Sequence, residues 1–294
     1  LSGLLPMFGF PTRVRSLFID KDKFEKTEIS SRSIDHAIWS YSPGSQILKD
    51  KMLYTVCGFA KLFEYRKKVY ADKDPLGKPK TISKCIDCDQ FNLGEIEKCP
   101  NCSGIMNKID FYEPKGFLVA KKPVPYDGNR QRGGLISPPF LAFRPDYNGP
   151  KLHDSFFINL SLKKPLALIN EGEGDKNFQL IESTFPNSVI AVNKSIYSEM
   201  PYEVKKNIEE GKNPKKGVIG AIFTTDIISF IFKDMTGLAN NGKLDTKNMR
   251  SAHSAIVSFS EFLKKAFSSH LDVDPSEFKV GTQIYKIDDI GDDL

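Results

Sequence analysis

Cys85-Ile-Asp-Cys88 and Cys99-Pro-Asn-Cys102 make two Cys-x2-Cys knuckles separated by ten residues. Zinc takes four ligands in a tetrahedron, and thiolates suit it well. Each knuckle folds a tight turn that offers two sulfurs, and a gap of this length suits a short hairpin between the turns. Gly104, just past the second knuckle, fits a sharp backbone turn. Two disulfides or uncoordinated thiols are the plainer alternatives, but the paired spacing is the signature of a zinc site. Cys85, Cys88, Cys99 and Cys102 are therefore the candidate ligands. Four thiolates leave no position open for water or substrate, so the ion is expected to be structural. Such a ribbon either stiffens a module or presents a surface to nucleic acid, and the ligands alone do not separate these roles.

Four of the five cysteines lie in this cluster. Thiols kept for metal imply a reducing compartment, so a cytoplasmic setting is expected. The fifth, Cys57, sits in an apolar run and reads as a small buried hydrophobe. No stretch reaches the roughly eighteen apolar residues that a membrane helix needs. The longest apolar run, Gly217 to Phe232, is broken by Thr224, Thr225 and Asp226. The start, Leu1 to Pro11, lacks the basic region and cleavage site of a signal peptide. Beginning without Met and ending in an acidic tail, the chain reads as a piece of something longer, with a processed mature protein as the alternative. The net charge of +5 is a weak pointer to nucleic acid, because a solvated lysine-rich surface carries the same excess.

Working outward from the ribbon, the 294 residues suffice for two or three domains. Upstream, Thr12 to Ile19 alternates as a strand, with Val14 and Phe18 on one face and Arg13 and Arg15 on the other. Ser33 is placed to cap a short helix through Trp39. Ser42-Pro43-Gly44-Ser45 is a turn, and Gln46 to Phe59 reads as a hairpin about Lys49-Asp50-Lys51. Lys61 to Tyr70 reads as one strand. Downstream, Gly116 to Ala120 is a short strand and Lys121 to Pro139 a long loop. Phe156 to Leu162, Leu166 to Asn170 and Phe178 to Glu182 read as strands, and Gly211 to Gly217 as a loop before a buried strand from Val218. Met249 to Leu271 is a helix, with Ile256, Phe259, Leu263 and Ala266 at helical spacing, Phe262 and Phe267 beside them, and Glu261, Lys264 and Lys265 outward. Pro275 is expected to stop it, and Lys279 to Tyr285 then reads as a strand.

Two stretches mix cations with features that suit phosphate. Tyr65-Arg66-Lys67-Lys68-Val69-Tyr70 sets bases beside rings able to stack on nucleotides. Lys121, Lys122, Arg130 and Arg132 flank a Gly-rich loop. A solvated strand face or loop is the plainer reading of both. Arg13 and Arg15 suit either phosphates or neighbouring acids. His36, His153, His253 and His270 are scattered without metal or triad spacing. There is no Walker A motif, no dinucleotide fingerprint and no local nucleophile motif, so this segment is expected to be non-catalytic.

Gly3-Leu-Leu-Pro-Met-Phe-Gly-Phe-Pro-Thr-Arg-Val-Arg15 resembles the stretch that follows the second motor domain in large bacterial superfamily 2 DNA helicases with a C-terminal domain of unknown function. These include anti-phage defence and DNA-repair helicases. Tyr41-Ser-Pro-Gly-Ser-Gln-Ile-Leu-Lys-Asp-Lys-Met-Leu-Tyr-Thr-Val56 looks like their Pro-Gly-Ser hairpin. Phe262 to Gly281, with Ser269-His-Leu-Asp-Val-Asp-Pro275, resembles the opening of their C-terminal domain. A four-cysteine ribbon followed by Tyr112-Glu-Pro-Lys-Gly-Phe117 also resembles the family. Residues 150–245 match none of these stretches. The second cysteine cluster usual in the family's C-terminal domain is absent from this sequence.

The resemblance implies an ATP-dependent motor upstream of Leu1, where ATP and Mg2+ would bind, and hence no catalytic residue in this chain. It implies DNA as partner, gripped or guided through phosphate contacts, together with defence or repair subunits and no membrane. The expected fold is a β-rich, multi-part α+β chain with an inserted four-cysteine zinc ribbon. Its parts are a β-rich segment over 1–75, the ribbon over 76–112, a β-rich accessory domain over 113–245 and the start of a helical domain over 246–294. The alternatives are a protein-interaction scaffold without DNA contact and an unrelated zinc-ribbon enzyme.

Overall fold

The computed structural model describes residues 13–20, 27–87, 90–100, 103–128, 133, 140–141, 151–153, 156–172, 177–184, 187–192, 197, 200–210, 213–232, 239–240, 243–244 and 246–281. For 140–141, 151–153, 156–157, 231–232, 239–240, 243–244 and 246–253 the description is of the backbone. Two compact units form by contact. One comprises Leu1–Thr81, Ile109–Ile136 and Ile169–Ala221; the other comprises Ile82–Lys108, Ser137–Leu168 and Ile222–Leu294.

In chain order the first elements are strands β1 (Val14–Phe18) and β2 (Glu28–Ser33), helix α1 (Ile34–Ser40), and strands β3 (Gln46–Lys49), β4 (Met52–Phe59), β5 (Leu62–Tyr65) and β6 (Lys68–Ala71). Strands β7 (Lys80–Cys85), β8 (Phe91–Leu93), β9 (Met106–Tyr112), β10 (Phe117–Val119), β11 (Val124–Pro125), β12 (Phe140–Leu141) and β13 (Lys151–His153) follow. Then come β14 (Phe156–Asn170), β15 (Phe178–Thr184), β16 (Asn187–Val192), helix α2 (Tyr202–Glu209), β17 (Lys215–Phe232), β18 (Ala239–Asn240), β19 (Lys243–Leu244) and helix α3 (Thr246–Leu271). Strands dominate, and the chain is β-rich α+β, as its sequence reads.

In the first unit β1 pairs antiparallel with β2 and parallel with β10, through Leu17 opposite Phe117. The buried β10 also pairs antiparallel with β4, which in turn pairs with β16. From there β16 pairs with β15, β15 with β17, and β17 runs parallel to β9. Phe117 is fully buried, and its ring centroid lies 5.6 Å from those of both Tyr41 and Phe59. An all-apolar strand buried on both faces needs such neighbours on each side. Gly58 lets β16 approach: a Cβ there would sit 2.3 Å from the Val189 carbonyl oxygen.

Local chemistry accounts for the hairpin of β3 and β4. Lys49 pairs with Met52, and Asp50 and Lys51 between them have φ of 51° and 60°. Two left-handed residues form the turn whose twist matches paired strands. Ser33 does hold the N-cap position of α1, but its side chain makes no capping hydrogen bond. Burial of Ile34, Ala37, Ile38 and Trp39 holds the helix instead. Buried Asn170 ties α1 to the sheet: its amide nitrogen donates to the Ile38 carbonyl at 2.7 Å, and its oxygen accepts from Gly172 N–H at 2.9 Å. Cys57 is buried, as expected.

Several elements differ from the sequence reading. Lys61 to Tyr70 is a hairpin of β5 and β6. The two strands read between Phe156 and Asn170 are the single strand β14, which passes Lys163 with a φ of 51°. Strand β16 has no counterpart in the sequence reading, and β17 starts at Lys215, inside the expected loop.

In the second unit Phe230 of β17 packs against α3, with ring centroids 6.3 Å from Phe259 and 6.4 Å from Phe267. Phe262 is instead 66% exposed. Lys264 is largely covered rather than outward. The end of α3 is set before Pro275. Asp272 takes a φ of 54°, and Val273 N–H donates back to the Ser268 carbonyl at 3.1 Å. That left-handed cap satisfies a carbonyl the helix would otherwise leave open. Pro275 opens a short 3-10 turn capped by Asp274. Residues 279–281 are not strand, and the rest of the strand read through Tyr285 lies outside the described residues. Among the described residues no helix is long and apolar enough to cross a membrane.

Candidate nucleic-acid interface and metal site

The hairpin of β5 and β6 gathers the basic-aromatic stretch. Tyr65 pairs with Lys68, and Arg66 and Lys67 between them have φ of 50° and 60°. The turn is again the two-residue left-handed type, and like the first it is built without Gly or Asn. Alternation then sorts the side chains. Phe63 opposes Tyr70, so Phe63, Tyr65, Lys68 and Tyr70 share one face, while Leu62, Glu64, Val69 and Ala71 share the other. Leu62, Val69 and Ala71 pack on a core cluster with Phe18, Cys57, Leu118, Ile190 and Val204 of α2. The outer face has no such cover: Phe63, Tyr65 and Tyr70 are 43%, 54% and 43% exposed.

These rings make a ladder. Phe63 and Tyr70 stack across the strands, with centroids 6.1 Å apart and planes 23° from parallel. Tyr65 meets Tyr70 edge-on at 6.1 Å. The Arg66 guanidinium carbon lies 5.1 Å from the Tyr65 ring centroid, within cation–π range.

The root of the hairpin is pinned by Asp72. Its N–H donates to the Lys61 carbonyl at 2.9 Å, closing the strand pair. Its carboxylate accepts from Asp74 N–H at 3.0 Å and from Lys115 Nζ at 3.1 Å. The Asp74 N–H chiefly, with Lys115, holds the carboxyl below its ordinary pKa against a partial burial cost.

The other basic residues divide. Arg13 and Arg15 both reach Glu113: Arg13 forms an ion pair with Oε1, and Arg15 Nη2 lies 3.2 Å from the same oxygen. Arg15 Nε also donates to the Pro114 carbonyl at 2.6 Å, and burial pulls its pKa down. Lys80 Nζ lies 4.0 Å from the other Glu113 oxygen. Of the two sequence options for Arg13 and Arg15, the structure provides the acid partner. Lys121 and Lys122 are exposed between β10 and β11. Arg130 and Arg132 lie outside the described residues.

Phe63 is the ring that sequence reading missed. It lies outside the basic run, and only the cross-strand register brings it beside Tyr70. The alternation of Phe63 and Tyr65 was a usable signal, but only once the turn at Arg66-Lys67 is known.

In the second unit, Cys85 ends β7, which pairs with β8 through Lys84 opposite Phe91. The second knuckle follows its own bridge, Lys98 opposite Ile105. Ile86 N–H, just past β7, donates to the Ile105 carbonyl at 3.1 Å and so joins the end of β7 to that bridge. Cys85 and Cys99 lie together in one buried cluster with Met106, and Ile96 packs on it. Asp87 N–H points to Cys85 Sγ at 3.4 Å. Two covered cysteines in one cluster, one with its sulfur receiving an N–H, have the chemistry of thiolate ligands, though among the described residues no group of three metal-ligating side chains comes together. Cys88 and Cys102 lie outside the described residues. The strained turn residue is Ser103, with a φ of 60°, rather than Gly104. Ser103 N–H donates to the Cys99 carbonyl, and Cys99 N–H to the Gly104 carbonyl, which closes the knuckle.

The fold and this site define a β-rich chain with a basic, aromatic hairpin and paired buried cysteines. No family model matches the chain. It is similar to Druantia protein DruE of Escherichia coli (strain UMEA 4076-1), with 25% identity over 318 aligned residues that cover 96% of this chain. The chain spans 17% of the length of that relative. No solved structure matches it.

Proposed function

We propose that this chain is a non-catalytic, DNA-binding accessory region of an ATP-dependent DNA helicase or translocase that serves in anti-phage defence. The observation that carries the reading is the β5–β6 hairpin. It holds Arg66, Lys67 and Lys68 at one tip beside three exposed rings, while its opposite face packs on the core. Cations gathered at one tip meet phosphates without regard to sequence, which a translocase needs. The helicase-like stretches and the similarity to Druantia protein DruE along nearly the whole chain support the wider setting. ATP and Mg2+ belong to a motor elsewhere in the parent protein, which acts in the cytoplasm with defence subunits. Cys85, Cys88, Cys99 and Cys102 hold a structural zinc ion that fixes the two knuckles.

The test is binding of labelled DNA across a salt series. Tight binding that weakens steeply with salt is expected, by about 0.9 in logarithmic slope per duplex phosphate neutralised. Arg66→Ala with Lys67→Ala is expected to weaken binding to all sequences alike and flatten that slope. No binding at low salt would instead leave a protein-interaction scaffold.

A further inference from the structure

Phosphate contacts explain the cations of the hairpin and leave its rings without a role. The rings do not hold the hairpin down: Leu62, Val69 and Ala71 do that on the opposite face. Single exposed apolar side chains are normal on a surface. Phe63, Tyr65 and Tyr70 are different, because they are adjacent in register and contact one another. Three aromatic rings kept in water as a ladder suggest a partner that covers π-faces.

We infer that this ladder takes unpaired DNA bases, which stack on the exposed rings of Phe63, Tyr65 and Tyr70 while Arg66, Lys67 and Lys68 hold the adjoining phosphates. The inference rests on the reading of the chain as DNA-binding and names the form of DNA. In a duplex each base is covered above and below by its neighbours, so its face cannot meet a ring. In a single strand the faces are open, and every base has one, so stacking is tolerant of sequence. The charge arrangement agrees. Lys68 shares the aromatic face, the two turn residues extend it, and Glu64 belongs to the opposite face. A nucleotide laid along the ladder therefore meets rings and cations together.

The experiment measures the whole chain against three probes of equal length: oligo-dT, an abasic single strand, and a duplex. Tyr65→Ala with Tyr70→Ala is expected to lose about tenfold or more on oligo-dT. It should keep its affinity for the abasic strand and the duplex, and its salt slope. Tyr65→Phe with Tyr70→Phe is expected to restore oligo-dT binding, since the rings and not the hydroxyls act. Unchanged oligo-dT binding by the alanine variant would overturn the inference, and so would an equal loss on all three probes. If Arg66→Ala with Lys67→Ala weakens every probe while the ring variant weakens none, stacking fails and DNA binding stands. If the wild-type chain binds no probe, both fall.

Discussion

Arg15 and Glu113, 98 positions apart in sequence, meet at 3.2 Å between Nη2 and Oε1. Only 18% of the Arg15 side chain and 23% of the Glu113 side chain is exposed. A guanidinium this covered depends on its partner, and Arg13 crowds the same oxygen with a second positive charge. Glu113→Ala should therefore cost about 1–3 kcal/mol, because it removes the carboxylate that the largely covered Arg15 guanidinium pairs with. Arg15→Ala should likewise lower stability while leaving DNA affinity intact. Urea denaturation and DNA titration of the same preparations check both. A weakened DNA affinity with unchanged stability would return Arg15 to the phosphate contacts.

Asp72 links the hairpin root to pH. Its carboxyl titrates below the ordinary value of 3.8, held first by the Asp74 N–H and then by Lys115. For a depressed carboxyl, the contribution is fully present above the unfolded-state pKa. It is lost as pH falls through the lower folded-state value. Its side chain is 30% exposed, so the contribution is expected to stay below about 1 kcal/mol. Asp72→Asn should be less stable than wild type at neutral pH, with the difference shrinking in acid. A constant difference across the acid range would show that the charge is not what matters.

Cys99→Ser removes a sulfur from the buried cluster it shares with Cys85 and Met106. Metal binding and local folding of such a site are one event, so the variant should lose zinc and lose amide protection over residues 82–108. Metal analysis and hydrogen exchange report the two effects. Stoichiometric zinc retained by the variant would contradict a four-thiolate site.

Gly58→Ala places a Cβ 2.3 Å from the Val189 carbonyl oxygen and 2.9 Å from the Ile190 Cα. Both are backbone atoms of β16, which cannot step aside without losing the pairing to β4. The variant is expected to lose roughly 3–5 kcal/mol or fail to fold, against about 1 kcal/mol for an ordinary substitution. Thermal melting distinguishes these outcomes.

Where structure follows from neighbours in the chain, it was legible. The α3 helix shows in a long periodic run, and the β3–β4 hairpin shows as two apolar strands about a polar turn. The hairpin at Arg66-Lys67 was hidden because its turn holds none of Gly, Pro, Asn, Asp or Ser, the usual markers, whereas Asp50 marks the β3–β4 turn. The break expected at Lys163-Lys164-Pro165 proved false because a strand can tolerate one irregular residue when its backbone N–H finds a partner. Lys163 N–H finds Asp226 Oδ1 at 2.8 Å.

The amino-acid sequence alone determined the β-rich class, the paired cysteine knuckles and the basic-aromatic character of residues 65–70, because composition and short spacings are local properties. Tertiary structure decided which charges are already paired and which rings stand together. Arg13 and Arg15 find Glu113, and Phe63 finds Tyr70, only after strands distant or reversed in sequence have taken their register. Register follows from burying one face of each strand, and that burial belongs to the whole core rather than to any one stretch of chain.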